Sequence, residues 1–490
     1  MHRPGQTTIR NARPLATLLA AIALLAVAQP AQAAPRPLFT GVTNIGSRAP
    51  LAFERTRATG AQFIRIPLYW GGTAPETLPA SWNPEDPADP NYEWGESDDD
   101  VTRAALAGLT PVLQVDGAPT WAQRCKTPPV VVPAICDPDP AALRAFAVAA
   151  ARRYSGQTPG LPRVTYWQAL NEPNLSLFFF PQFSAAGQPL SPELYRELVN
   201  GFYAGIKAVD ASNLVLAAGL GPIAVPLWTI GPMQFARQLL CMRGLERPHP
   251  TPGDCGGGVQ FDIFAIQPYT TGAPTREGKA NDVQLGDLSK LQTLLRAADR
   301  AGRIANTSAR TPLWITEFSW DSNPPDPGGL PMRITKRWAA EALHRAWSAG
   351  VDHFFWYSLR DDLPDPTKPF SQSLESGLYF RGASIEQDQP KPVLAAFRFP
   401  FVAYPGRRGL SFWGRTPNSK RGKVTIQVLE SKRWRRALVV RADGAGIFQG
   451  TAPSGYGSKW KGSARAHYAG SPSVPFSMKP VSDFRHPPFG

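Results

Sequence analysis

Two stretches of the chain carry carboxyls where they could act together. One reads Trp167-Gln168-Ala169-Leu170-Asn171-Glu172-Pro173-Asn174, the other Leu313-Trp314-Ile315-Thr316-Glu317-Phe318-Ser319-Trp320. In each, an apolar, β-rich run ends on a Glu. Two neighbouring carboxyls divide their pKa values, because charge on one disfavours charge on the other. One then stays protonated and can give its proton to a leaving oxygen. The other stays ionised and can attack an anomeric carbon or activate water, so the pair suits cleavage of a glycosidic bond. Asn171-Glu172-Pro173 is the sharper signal. Pro173 removes a backbone donor and restrains the Glu before it, and Asn171 sets an amide, able to hold a sugar hydroxyl, beside the acid.

These residues need a scaffold that brings positions far apart in sequence to one crevice. Eight short β-rich runs recur: Leu38–Ile45, Gln62–Tyr69, Pro111–Asp116, Val164–Asn171, Asn213–Gly219, Phe261–Tyr269, Pro312–Phe318 and Val351–Ser358. Several are almost continuously hydrophobic, as strands buried on both faces must be. Amphipathic stretches alternate with them: Asp98–Leu106, Pro140–Tyr154, Pro192–Val209, Met233–Met242, Leu288–Ala301 and Ile334–Ala349. Ser191 and Asp287 are expected to cap the helices that follow them, and Gly302 and Gly350 to end two others. The pattern predicts an α/β fold, a (β/α)8 barrel with enlarged loops, whose reacting groups lie at the C-terminal ends of the strands. A doubly wound sheet would advertise a glycine-rich nucleotide loop. The first run ends Gly41-Val42-Thr43-Asn44-Ile45-Gly46, which does not match. After residue 407 the pattern changes to short strands and Gly-containing turns. Residues 408–490 read as a small all-β, sandwich-like module.

On these motifs the chain resembles the clan A glycoside hydrolases, retaining enzymes on (β/α)8 barrels, and most of all family 39 and the cellulase-like families. The resemblance implies that Glu172 is the acid/base and Glu317 the nucleophile of a double displacement on a poly- or oligosaccharide, with β-linked O-glycosidic bonds the expected target. It also assigns binding residues. Arg65 matches a strand-two Arg near the nucleophile, and Tyr269 a strand-six Tyr that hydrogen-bonds it. Asn171 should donate to the sugar 2-hydroxyl. Trp356 matches a platform under the sugar, and Trp121, in Ala118-Pro119-Thr120-Trp121-Ala122, should line the cleft. Gln267 departs from the pattern, which often has His there, so it would bind substrate without carrying charge. The loop Leu175–Phe183 is either one wall of the cleft or packing for a neighbouring loop. Glucosides, xylosides, mannosides and galactosides all remain open as substrates, as do internal and end-acting cleavage.

Composition sets the remaining bounds. Six scattered His, and no H-E-x-x-H or EF-hand pattern, give no metal site, and no cofactor is expected. The absence of G-x-S-x-G argues against an esterase. Arg3, Arg10 and Arg13 precede the apolar run Leu15–Ala28, and Ala31-Gln32-Ala33 follows, so residues 1–33 read as a secretory signal peptide. That run is shorter than the roughly 20 residues needed to span a bilayer. Export allows disulfides, and the pairs expected are Cys125 with Cys136 and Cys241 with Cys255. Residues 34–407 then form the barrel. From Arg408 on, 15 Lys and Arg face 3 Asp and Glu, whereas residues 34–407 sum to −1. The basic module could contact an anionic cell-envelope polymer, with export disfavouring nucleic acid. Trp413, Trp434 and Trp460 in it could stack on sugar. The rival reading is a non-catalytic glycan-binding protein or an envelope adhesin, secreted like the enzyme.

Overall fold

A computed structural model describes residues 36–125, 135–226, 228–253, 255, 258–306, 308–363, 370, 373–452, 456, 460–479 and 481, with Met1. The expected signal segment beyond Met1, with its cleavage site, lies outside these residues. The chain from Arg36 onward is one compact unit. No helix among the described residues is long and apolar enough to cross a membrane.

Eight parallel strands close a barrel: β1 (Phe39–Thr43), β2 (Phe63–Tyr69), β3 (Thr110–Asp116), β4 (Tyr166–Ala169), β5 (Leu214–Leu220), β6 (Ile263–Ile266), β7 (Leu313–Ile315) and β8 (His353–Tyr357). Each strand pairs with its sequence neighbours, and β8 closes on β1, with Phe39 beside His353 and Thr43 beside Tyr357. The eight observed strands fall inside or within one residue of the eight expected runs. The outer layer contains α1 (Pro50–Ala58), α2 (Gly95–Leu106), α3 (Pro140–Arg153), α4 (Ser191–Val209), α5 (Pro232–Leu239), α6 (Leu288–Arg300) and α7 (Met332–Ser348). Gly302 and Gly350 end α6 and α7 at φ of 64° and 91°. Two expected caps are corrected. Ser191 is the first helical residue, and its hydroxyl donates to the Gln182 side chain instead. Asp287 spends its carboxylate on the backbone of Gly278 and Gln284, so it does not cap α6. Asp139 does cap α3, accepting from the Ala141 N–H at 2.8 Å.

Strand alternation sorts the barrel interior into layers. Phe63, Val112, Leu216, Ile263, Trp314 and Phe355 form one buried apolar cluster, joined by Phe39, Tyr166 and Leu214. His353 stacks on Trp314 within it, with ring centroids 3.6 Å apart. Two to four residues further along, the same faces turn polar, with Arg65, Gln114, Gln168, Gln267 and Thr316, all buried. The apolar cluster is therefore the floor of a polar cup that opens at the C-terminal ends of the strands.

The two expected disulfides are present, with Cα atoms 5.4 Å apart for Cys125–Cys136 and 6.0 Å for Cys241–Cys255. Phe179 and Phe180 pair with Ile135 and Cys136, and Phe179 is fully buried, so this apolar loop packs against the first disulfide loop. After α8 (Pro392–Arg398) come β9 (Phe401–Gly406), β10 (Gly409–Arg415), β11 (Gly422–Glu430), β12 (Arg433–Ala442), β13 (Ile447–Ala452) and β14 (Ser463–Tyr468). They build two antiparallel sheets, β9-β10-β13 and a larger one containing β12-β11-β14. Trp413 packs on His344 and Trp347 of α7, so this tryptophan belongs to the core. Arg415 is wholly buried. Its guanidinium donates to the Leu38 carbonyl at 2.8 Å and to Thr40 Oγ1 at 3.0 Å, and burial pulls its pKa down to about 10. It ties β10 to the first barrel strand. Arg415→Ala leaves buried acceptors without a donor. It is expected to cost roughly 2–3 kcal/mol and lower the melting temperature; an unchanged melting temperature would contradict this anchoring role.

Candidate active site

The acid-bearing turn follows β4. The backbone passes through left-handed conformations at Leu170 (φ 60°) and Glu172 (φ 40°). Non-glycine residues hold such angles at a cost of about 1–3 kcal/mol each, and only where surroundings fix them. The fixing bonds are specific. Leu170 N–H donates to the Val115 carbonyl at 3.0 Å, and Glu172 N–H to the Gly219 carbonyl at 3.2 Å. The Tyr195 hydroxyl, on α4, donates to the Ala169 carbonyl and accepts from the Ala218 N–H, clamping the ends of β4 and β5 together. The Asn174 amide accepts from Gly221 N–H and donates to the carbonyls of Gly221 and Ile230.

The turn delivers the Glu172 carboxyl into the cup, where the residue is 5% exposed. Its Oε1 is buried with no hydrogen-bond partner among the described residues. It lies over Gly221, where a Cβ would stand 3.0 Å from Oε1 and 2.9 Å from a Leu175 methyl. Glycine is therefore required at 221 by close approach. Burial first, and then the charge of Glu317, push the Glu172 carboxyl well above the usual carboxylate range.

Glu317, just past β7 and 8% exposed, has different surroundings. Arg65 donates to Oε1 at 2.7 Å and the Tyr269 hydroxyl to Oε2 at 3.0 Å. Burial raises its pKa too, but the Arg65 charge and the Tyr269 hydrogen bond oppose the rise. Burial and Glu317 together keep Tyr269 a phenol, able to donate. Two like carboxyls thus occupy unlike sites: burial raises both, further at Glu172, while Arg65 and Tyr269 hold the rise down at Glu317.

Arg65 organises the remaining residues. Its Nε donates to Gln168 Oε1 at 2.9 Å, and its second terminal nitrogen to Asn171 Oδ1 at 2.7 Å. Gln267 Nε2 also donates to Asn171 Oδ1, at 2.8 Å. Both bonds fall on the Asn171 oxygen. Its amide nitrogen has no protein partner among the described residues and remains free to donate. Gln267 Oε1 is buried and has no partner among the described residues. Arg65, Asn171, Glu172, Gln267, Tyr269 and Glu317 are therefore brought together at one mouth.

One expected position differs. Trp356 is not a platform in the cup. It is 1% exposed, donates its indole N–H to the Ser376 carbonyl at 2.8 Å, and packs on Phe397 of α8 and Trp320. The pleat explains this: Phe355 faces the barrel interior, so Trp356 must face the helices and Tyr357 the cup. Tyr357 accepts from Asn44 Nδ2 at 2.9 Å and feels the charge of Glu317. Trp121 sits half-buried in an aromatic cluster with Trp70 and Trp82, its N–H donated to the Pro75 carbonyl. Sequence reasoning missed Asp116, the last residue of β3. Burial raises its pKa, and its charge acts on both Glu172 and Glu317. The signal was present: Val112, Gln114 and Asp116 alternate on the inward face. The triplet Asp98–Asp100 is taken up by ion pairs to Arg153, Arg103 and Arg48.

Because the negative charge of Glu317 raises the Glu172 pKa, Glu317→Gln is expected to lower it. Titration of the Glu172 carboxyl by carbon-detected NMR reads this directly; an unchanged or higher pKa would show that the two groups are not coupled.

No protein-family model matches the sequence, and no curated protein matches it. Solved structures do. A family 39 glycoside hydrolase from Bacteroides cellulosilyticus WH2 superposes with a TM-score of 0.52 at 16% identity, covering 84% of this chain and 79% of that one. A glucosidase from Croceicoccus marinus gives 0.48 at 13% identity over 86% and 94%. A family 39 enzyme from Xanthomonas axonopodis pv. citri gives 0.47 at 14% identity over 86% and 93%. At this level of identity the likeness is one of fold, and this chain shares its fold with the Bacteroides family 39 glycoside hydrolase over most of both chains.

Proposed function

We propose that the protein is a secreted, retaining glycoside hydrolase acting on β-linked poly- or oligosaccharides. Residues 34–400 form its catalytic barrel and 401–490 an accessory module; the boundary lies before β9 and not at the expected residue 407, because β9 pairs with β10 in the accessory sheet. The observation that carries this reading is the inequality of the two carboxyls: Glu172 buried with no partner for Oε1 among the described residues, Glu317 buried against Arg65 and Tyr269. The fold shared with a family 39 hydrolase agrees with it, as do the apolar N-terminal run and the two disulfides with export.

In the first step the Glu317 carboxylate attacks the anomeric carbon. The glycosidic C–O bond breaks as Glu172 passes its proton to the leaving oxygen. Glu172, now ionised, takes a proton from water. The hydroxide so formed displaces Glu317 from the anomeric carbon, and both carboxyls return to their starting states. The free amide of Asn171 is suited to the sugar 2-hydroxyl, where a hydrogen bond strengthens in the transition state. Asp116 and Tyr357, at the ends of β3 and β8, offer further polar contacts to the ring bound over Glu317.

Glu317→Ala is expected to abolish turnover of aryl β-glycosides. Glu172→Ala should cost about 10²–10⁴-fold on substrates with poor leaving groups and far less on activated ones, since only poor leaving groups need the proton. NMR of the first-formed product should show the anomer of the substrate. Inversion, or full activity of the Glu317 variant, would refute the assignment. Gly221→Ala pushes on the Glu172 carboxyl and should lower kcat about 100-fold on poor leaving groups while the fold persists by circular dichroism. Wild-type kcat would mean that Glu172 does not act from this position.

A further inference from the structure

The outward face of the β12-β11-β14 sheet has a composition that folding alone does not explain. Val424, Ile426, Val428, Ala464 and Ala466 point into the module and are buried. The alternate residues point out. Lys423 stands directly opposite Arg441, Thr425 opposite Val439, Gln427 between Arg436 and Arg465, and Leu429 opposite Trp434. Lys423, Arg436, Arg441 and Val439 are exposed, and Arg465 is half-buried. None of the four cations forms an ion pair among the described residues; Arg465 instead donates to Gln427 at 2.8 Å and lies 4.2 Å over the Trp434 ring. The nearby acids are engaged elsewhere. Glu430, at the β11–β12 turn, accepts from Tyr456, and Asp443 accepts from backbone N–H groups of its own turn.

Like charges facing each other across two strands destabilise a sheet. The Lys423–Arg441 pair therefore works against folding unless something anionic lies over it. Cations separated by about 4.8 Å between strands and about 7 Å along them make a flat two-dimensional array rather than a groove. Three of the four are Arg, whose planar fork pairs with carboxylates through two parallel bonds. The row Thr425–Val439 between them, and the half-buried indole of Trp434, add surface for the C–H face of a sugar ring. We propose that this face binds a carboxylate-bearing polysaccharide, a polyuronate, and holds the protein on it independently of the carboxyl pair in the barrel.

The test is binding of the secreted full-length chain to polygalacturonate, to neutral galactan and to double-stranded DNA at matched charge, in 0.05 and 0.5 M NaCl. Polygalacturonate should bind at least ten times more tightly than either competitor, and at least ten times more weakly at the higher salt, because exposed charges are screened. The K423Q/R436Q/R441Q variant should lose at least tenfold in affinity with no fall in melting temperature, since it removes a repulsion. Trp434→Ala should weaken polygalacturonate and leave DNA unchanged. Failure of the wild-type chain to bind polygalacturonate, equal or tighter binding to DNA, wild-type affinity in the triple variant, or a lowered melting temperature in it would each overturn the proposal.

Discussion

A guanidinium enclosed in the interior of a barrel has to be neutralised and fully hydrogen-bonded, and Arg65 sets the terms for everything around it. It bonds Glu317, Gln168 and Asn171, and its contact with Thr43 Oγ1, at 3.4 Å, is the loosest of the four. Strands β1, β2 and β4 and the end of β7 are thereby locked in register at the level of the cup. The consequences spread by elimination. Arg65 fixes the Asn171 oxygen, which requires the Gln267 amine, which leaves the Asn171 amine for a ligand. A buried network of this kind tolerates few alternatives, because each unsatisfied member is costly in a low-dielectric interior. The pattern therefore specifies orientation as well as position.

The same cation makes two identical side chains chemically different. Glu172 and Glu317 are similarly buried, so desolvation alone would raise both. What separates them is company: Arg65 and Tyr269 on one, Gly221 and a leucine methyl on the other. The aromatic floor beneath, from Phe39 and His353 through Trp314 and Phe63 to Tyr166, closes the barrel below the cup and strengthens each interaction above it. Backbone strain at Leu170 and Glu172 completes the arrangement, held by the Tyr195 hydroxyl and the ladder from β5.

Much of this was legible in the sequence because burial writes itself into residue type. Each strand is an apolar run, and each carboxyl stands where such a run meets polar residues. Arg65 inside Phe63-Ile64-Arg65-Ile66 is conspicuous for the same reason. The limit was pleat parity. In Phe354-Phe355-Trp356-Tyr357 every residue is aromatic, so composition does not say which ones face inward, and the expectation put Trp356 in the cup where Tyr357 stands. The register with β1 and the packing of Phe355 in the floor decide it. Asp116 was missed for a related reason. A lone acid at a strand end has no motif around it, and only its alternation with Val112 and Gln114 assigns it to the cup. Helix caps erred at Ser191 and Asp287 because tertiary partners, Gln182 and Gly278, compete for those side chains.

The central claim is that Glu317 carries the sugar. Fluorine at C2 of a glycoside withdraws electrons from the oxocarbenium-like transition states of both steps, and a good leaving group restores only the first, so the glycosyl-enzyme accumulates. Treating the protein with a panel of activated 2-deoxy-2-fluoro-β-glycosides and mapping the adduct by peptide mass spectrometry should place one sugar on Glu317. An adduct on Glu172 or on any other residue, or inverting turnover of the parent glycoside with no adduct, would contradict the account.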